Sequence, residues 1–267
     1  MKTLSILLLI LCLATAVRAQ FDNQFYYPQK AWQECSLPNS EDIYFYPEQD
    51  TLHSVLCKPS GTPVATIFYI HGNSGNISAN ASRVDTLVKA GFQVFIADFR
   101  GFGKSSGVPT HKNIAADGQM ILDYLLERPG IKGTKFLVYG ASIGTQLATK
   151  LAKDNQPQID GLILEGGFSS FTDMALPFIP EEKREFVKPY LIFPYSSGKD
   201  IQATGHMPKL IMHSREDEVV PYEQGEQVFS NAPEPKVFLE LQGKHLAGLI
   251  NEPGLIISHI NQLIGNH

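Results

Sequence analysis

A serine hydroxyl becomes a useful nucleophile only when a base takes its proton and donors hold the charge that develops on the substrate. Gly140-Ala141-Ser142-Ile143-Gly144 offers such a serine, set between the apolar run Lys135–Tyr139 and the Ala- and Leu-rich stretch Ile143–Lys153. Small residues two before and two after the serine let a strand turn sharply into a helix. That turn lifts the hydroxyl clear and aims the first helical amides at the reaction centre. Gly-x-Ser-x-Gly alone is a pattern that chance supplies often, and a plain glycine-rich turn is the competing reading. Its position between strand and helix is what favours a nucleophile at Ser142.

A base, an acid and an oxyanion site then have to be found at other strand ends. Of eight histidines, His245 follows the last apolar run, Lys236–Leu241, where it can reach back over Ser142. His71 is expected to order its own loop, His213 ends a strand and His259 lies within a helix. His53, His111, His206 and His267 lack the position. Three carboxylates, Glu216, Asp217 and Glu218, compete after Leu210–His213. The Asp-x-Val-Val-Pro arrangement favours Asp217, with Pro221 opening the next helix. The oxyanion donors are expected to be the backbone amides of Ile143, next to the nucleophile, and Asn73, in the loop His71–Asn76. No set of His, Cys and carboxylates has metal-ligand spacing, so neither metal nor cofactor is expected.

These residues need a scaffold, and the order of elements supplies one. From residue 63 onward apolar runs alternate with helical stretches: Val64–Ile70, Ser82–Lys89, Phe92–Asp98, Asn113–Leu126, then the two flanking Ser142. Leu162–Leu164, Lys209–Met212, a helix near Glu223–Phe229, Lys236–Leu241 and a last helix from Pro253 complete the series. Strands apolar throughout, each followed by a helix, predict a mostly parallel central sheet with helices on both faces. Ile43–Tyr46 and Leu52–Leu56 alternate across a turn and predict an antiparallel N-terminal edge hairpin. Ligands in such sheets bind beyond the carboxyl ends of the strands, where all the candidates above fall.

From about residue 40 onward the sequence resembles the α/β-hydrolase superfamily, in several segments that agree in order. The resemblance implies the α/β-hydrolase fold and the triad order Ser142, Asp217, His245, with the oxyanion loop at Asn73. Asp98-Phe99-Arg100-Gly101-Phe102-Gly103-Lys104-Ser105 looks like the family's structural loop. The His-Gly-Asn-x-Gly-Asn loop is similar to that of a subgroup of lipid esterases and protein-depalmitoylating thioesterases. Two departures stand out. Ser214 replaces the usual Gly and is expected to alter the acid loop slightly. Leu164-Glu165-Gly166-Gly167-Phe168 replaces a Glu-Ser-Pro or Glu-Ala-Pro end.

Residues 168–205 form an insertion rich in Phe, Tyr and Pro, expected to be a small cap over Ser142. Phe168, Phe171, Met174 and Phe178 are its candidate substrate contacts. Equally, such residues could simply pack the insertion onto the core. The expected substrate is a small-molecule ester or thioester, acyl lipids included. A peptidase or amidase of the same fold, or a non-catalytic binding protein on a hydrolase scaffold, are the alternatives.

Met1–Ala19 has a short positive start, an apolar stretch and a Val17-Arg18-Ala19 end, the layout of a secretory signal peptide. Residues 20–267 are then expected to be one exported domain. Export would leave Cys35 and Cys57 as a possible disulfide pair, worth about 3 kcal/mol, against two buried thiols. Asn76-Ile77-Ser78 and Asn80-Ala81-Ser82 are glycosylation sequons. A glycan in the oxyanion loop would block the site, so a bacterial source, periplasmic or secreted, is expected. A net charge of −5 gives no basic footprint for nucleic acid. No later segment is long and apolar enough to span a membrane.

Overall fold

The computed structural model describes Asp22 and residues 24–265, so the expected leader lies outside the described residues. The chain opens with strands β1 (Ser40–Phe45), β2 (Leu52–Cys57) and β3 (Thr66–Ile70). Helix α1 (Ala81–Lys89), β4 (Gln93–Ala97), α2 (His111–Glu127), β5 (Phe136–Ala141), α3 (Gly144–Asp154) and β6 (Gly161–Glu165) follow. Three short helices, α4 (Phe171–Ala175), α5 (Glu181–Val187) and α6 (Ser197–Asp200), separate β6 from β7 (Lys209–Ser214). Then come α7 (Tyr222–Asn231), β8 (Lys236–Leu241), α8 (Gly248–Asn251) and α9 (Pro253–Leu263).

The eight strands form one sheet in the order β1-β2-β4-β3-β5-β6-β7-β8. β1 and β2 are antiparallel, as are β2 and β4; every pairing from β4 to β8 is parallel. This is the α/β-hydrolase fold. The expected hairpin exists, but only β1 is an edge: β2 pairs β4 on its other side and is buried throughout.

Side chains alternate across each strand and feed two cores. Phe68, Phe95, Val138 and Leu162 face α2 and α3, through Ile121, Leu125 and Leu147. Ile67, Val94, Leu137 and Ile163 face α1 and α9, through Val84, Leu87, Ile256 and Ile260. The chain crosses from β4 over β3 to β5, so the loops after β3 and β5 lie side by side at the carboxyl edge. That is the crevice where this architecture binds ligands.

A buried ion cluster fixes the loop after β4. Arg100 donates from Nε and Nη2 to the two Asp117 oxygens at 2.8 and 2.9 Å and from Nη1 to Asp50 at 2.7 Å. Asp98 accepts the Ile77 amide at 2.8 Å, tying this loop to the one after β3.

The expected Cys35–Cys57 disulfide is not formed; both are free thiols. The hairpin register sets Cys57 opposite Ser40, and Cys35 lies upstream of that ladder. Burial pushes the Cys57 thiol up to about 12, with Cys35 nearby adding to the rise.

Candidate active site

Ser142 sits between β5 and α3 with φ +53°, a left-handed backbone that a non-glycine residue adopts only when its surroundings enforce it. Two glycines allow it. A Cβ on Gly140 would stand 2.7 Å from both Ala148 Cβ and the Gly144 carbonyl oxygen. One on Gly144 would stand 2.2 Å from the Ile70 oxygen. β5 and α3 therefore close on each other, and α3 closes on the end of β3. The Ser142 amide donates to the Glu165 carbonyl at 2.9 Å. The next amide, that of Ile143, stands at the N-terminal start of α3.

His245 and Asp217 meet from two loops: His245 Nδ1 donates to Asp217 Oδ2 at 2.6 Å. The other oxygen, Oδ1, accepts the amides of Val219 and Val220, each at 2.9 Å. Burial alone would raise this carboxyl. The bond from His245 and the two amides outweigh it and hold Asp217 below the usual carboxylate range. Of the competing acids, Glu216 and Glu218 are exposed, and Glu218 reaches Lys244. Ser214 does more than alter the acid loop slightly. Its hydroxyl donates to the Gly243 carbonyl at 2.5 Å and accepts the Glu216 amide at 3.0 Å, bracing the acid loop against the base loop.

The His245 ring packs against Gly166. Its φ is +57°, and a Cβ there would stand 3.1 Å from His245 Cε1. Gly72 approaches from the opposite side, where a Cβ would stand 3.2 Å from Ser142 Cβ and 3.4 Å from Leu246 Cδ1. The loop after β3, the serine turn and the base loop thus surround one point. His71 is fully buried and its Nδ1 donates to the Gly72 carbonyl at 2.6 Å, which shapes this loop.

No sequence motif signals what holds Asn73. The chain N-terminal to β1 runs across the His71–Asn76 loop as a strap: the Tyr27 amide donates to Asn73 Oδ1 at 2.8 Å. Asn76 Nδ2 donates to the carbonyls of Gln29 and Ala31 at 3.1 and 2.9 Å. With its side-chain oxygen taken, Asn73 has its backbone amide left to offer a substrate. Asn76 and Asn80 are 1% and 4% exposed, so neither sequon can carry a glycan in the folded chain.

The insertion places its four candidate contacts differently from one another. Phe168 and Phe171 are buried in the core, Phe171 against Phe25 and His111 with ring centroids 5.0 and 4.1 Å apart. Met174 is half-buried against the same core. Phe178 is 87% exposed and stands apart from the other three. Packing onto the core accounts for the other three. Gln146 on α3 anchors the insertion, donating to Phe168 O and accepting the Ser197 amide at 3.0 Å. Among the described residues no group of three His, Cys, Asp or Glu side chains could hold a metal ion, and no helix could cross a membrane.

A strand-ordered sheet with a serine elbow and a His–Asp pair at its carboxyl edge defines an α/β hydrolase, and this chain belongs to that superfamily. Residues 61–190 match the family described as serine aminopeptidase, S33. The uncharacterised protein YfhR of Escherichia coli is 30% identical over 240 residues, 87% of this chain and 82% of its own length. Protein bem46 of Schizosaccharomyces pombe is 35% identical over 174 residues, 64% of this chain and 58% of its own. Esterase Pf2001 of Pyrococcus furiosus shares the fold with a TM-score of 0.70 at 17% identity, covering 90% of this chain and 96% of the esterase. Est1E of Butyrivibrio proteoclasticus, bound to ferulic acid, has a TM-score of 0.66 at 18% identity, covering 83% and 97%.

Proposed function

We propose that the chain is a serine hydrolase that cleaves carboxylic esters or thioesters through an acyl-enzyme on Ser142. The observation that carries this reading is the left-handed Ser142 turn, which Gly72 brings together with Leu246, the residue after a histidine whose Nδ1 is held by Asp217 at 2.6 Å. The Asp217 bond fixes the tautomer with Nε2 free to accept a proton. His245 takes the Ser142 proton as Oγ attacks the carbonyl carbon, and Asp217 stabilises the imidazolium. The amides of Ile143 and Asn73 hold the oxyanion. The imidazolium then protonates the leaving alcohol or thiol, and water, activated by His245, releases the acid and restores Ser142. No step calls for a cofactor.

The similarity of His71–Asn76 to the loop of lipid esterases and depalmitoylating thioesterases supports acyl lipids as a substrate class. The S33 family description favours a second reading, an aminopeptidase on the same triad. That activity needs an acidic group to receive a substrate amine, and neither sequence nor site offers a clear one. The leader Met1–Ala19 makes the exported form the one to assay, with N-terminal sequencing to check cleavage after Ala19. Fluorophosphonate labelling of wild type and Ser142→Ala, with matched p-nitrophenyl esters and aminoacyl p-nitroanilides, tests the proposal. Label lost in the variant and turnover of the esters support it. Label retained in Ser142→Ala refutes it, and turnover of the anilides alone moves it to the peptidase reading.

A further inference from the structure

β6 ends in a carboxylate that none of these steps uses. Glu165 is 1% exposed, and it bonds both the serine turn and the segment that follows His245. Its carbonyl accepts the Ser142 amide at 2.9 Å. Its Oε1 accepts the amide of Gly248, three residues past His245, at 3.2 Å, and its Oε2 accepts the Tyr139 hydroxyl at 2.5 Å. The following residue, Gly166, donates its amide to the Met212 carbonyl at 2.9 Å, on the strand that leads to Asp217. Its Cα faces the His245 ring. On the other side of the base loop, Arg83 of α1 donates from Nη2 and Nε to the Leu246 carbonyl at 2.9 and 3.2 Å. Leu246 itself has φ +57°, so the residue after the base is held in a strained conformation between these two anchors.

We propose that Glu165 is a positioning residue for His245: a buried carboxylate that holds the base loop through Gly248 and balances the imidazolium formed in each half of the reaction. This rests on the serine-hydrolase reading and adds to it a second acid, opposite Asp217. Both hydrogen bonds to the carboxylate come from donors, the Gly248 amide and the Tyr139 hydroxyl, and both favour the ionised form. Tyr139 on β5 bonds it directly, the Tyr69 ring on β3 lies 4.9 Å from that of Tyr139, and the charges of Arg83 on α1 and His245 act on it. His213, Asp217 and Lys244 share with it a small cavity behind the triad. Burial pushes the Glu165 carboxyl up. Tyr139, Arg83, the Gly248 amide and His245 all pull it back toward the charged form. A proton arriving on His245 therefore favours charge on Glu165.

The test is Glu165→Gln, which keeps the size and removes the charge. kcat and KM for a p-nitrophenyl ester would be followed from about pH 5 to 9. kcat is expected to fall about ten-fold or more with little change in KM, because the base is displaced while ground-state binding is not. The acid limb of kcat/KM is expected to move to lower pH, because the imidazolium loses the negative charge beneath it. A limb that stays in place overturns the proposal, whether or not kcat falls, since a purely structural role would leave it there. If Glu165→Gln does not fold, Tyr139→Phe decides. A smaller displacement in the same direction supports the proposal, and none overturns it. Fluorophosphonate labelling separates the two levels. Label lost in Ser142→Ala with an unmoved limb in Glu165→Gln sinks this inference alone, whereas label retained in Ser142→Ala sinks the hydrolase reading with it.

Discussion

Gly144→Ala adds one methyl group and should disable the site. The new Cβ would stand 2.2 Å from the Ile70 oxygen, 2.7 Å from the His71 oxygen and 2.9 Å from the Ile70 carbonyl carbon. Ordinary contacts lie near 3.5 Å, so about 1 Å of movement is needed. All three neighbours are backbone, and no rotamer change relieves them. Either α3 backs away or the end of β3 does, and both carry parts of the site: the Ile143 amide on one, the His71–Asn76 loop on the other. Displacement on this scale costs about a hundred-fold in rate. Overpacking costs about 1–3 kcal/mol, offset by up to about 1 kcal/mol from the better helix propensity of Ala. Gly254→Ala in α9 is the control, because its Cβ would meet nothing within 4 Å. It should be neutral or stabilising with unchanged rates. Urea unfolding and ester turnover on both variants read the two effects. Wild-type activity and stability in Gly144→Ala would refute the close approach of α3 to β3.

Three further perturbations probe separate parts of the structure. Asp217→Asn keeps an acceptor for the Val219 and Val220 amides but turns an NH2 toward His245, favouring the wrong tautomer; kcat should fall about a thousand- to ten-thousand-fold, measured by ester hydrolysis. Because Asp217 is held below its ordinary value of 3.8, its contribution to stability is complete above that pH and is lost as pH falls through the lower folded value. Acid unfolding of Asp217→Asn below about pH 4 should therefore be less steep than that of wild type. Arg100→Met strands Asp117, itself 6% exposed, and should cost about 3–5 kcal/mol in urea unfolding, with much of the loss recovered on adding Asp117→Leu. Alkylation in denaturant without reductant should recover Cys35 and Cys57 as separately modified peptides, and a linked pair would refute the free thiols.

The sheet and the triad candidates were legible because they depend on local signals. Continuous apolar runs marked β3 to β7, whose residues are buried without exception, and the observed ends fall within about two residues of the expected ones. Ser142, Asp217 and His245 stand at strand ends, which chain order alone reveals. The strap was not legible. Tyr27 meets Asn73 and Gln29 meets Asn76 across 46 and 47 residues, through backbone groups that carry no sequence signal. Phe171 and Phe178 failed to separate for a related reason. Both are aromatic residues in an irregular segment with short helices, where no long periodicity says which side is covered. The disulfide expectation weighed compartment and count, whereas strand register decides which side chains face each other.

The two departures from the family pattern meet in one place and have linked consequences. A Cβ at Gly166 would press on the His245 ring, and one at Gly167 would stand 2.6 Å from Thr145 Cγ2 on α3. The loop carrying His245 and the helix after Ser142 therefore close on this glycine pair, and a Ser-Pro or Ala-Pro there would force them apart. Close approach also removes a side chain that could have propped the base loop from below. Ser214 supplies a support from the side, since its hydroxyl holds the Gly243 carbonyl two residues before His245. Glu216 adds a second, its carboxylate accepting the Gly243 amide at 3.2 Å. A glycine at 214 has no hydroxyl to donate to the Gly243 carbonyl or to accept the Glu216 amide. Ser214→Gly should accordingly lower kcat while leaving KM and the Asp217–His245 pairing nearly intact, and an unchanged kcat would show that the base loop is held without this brace.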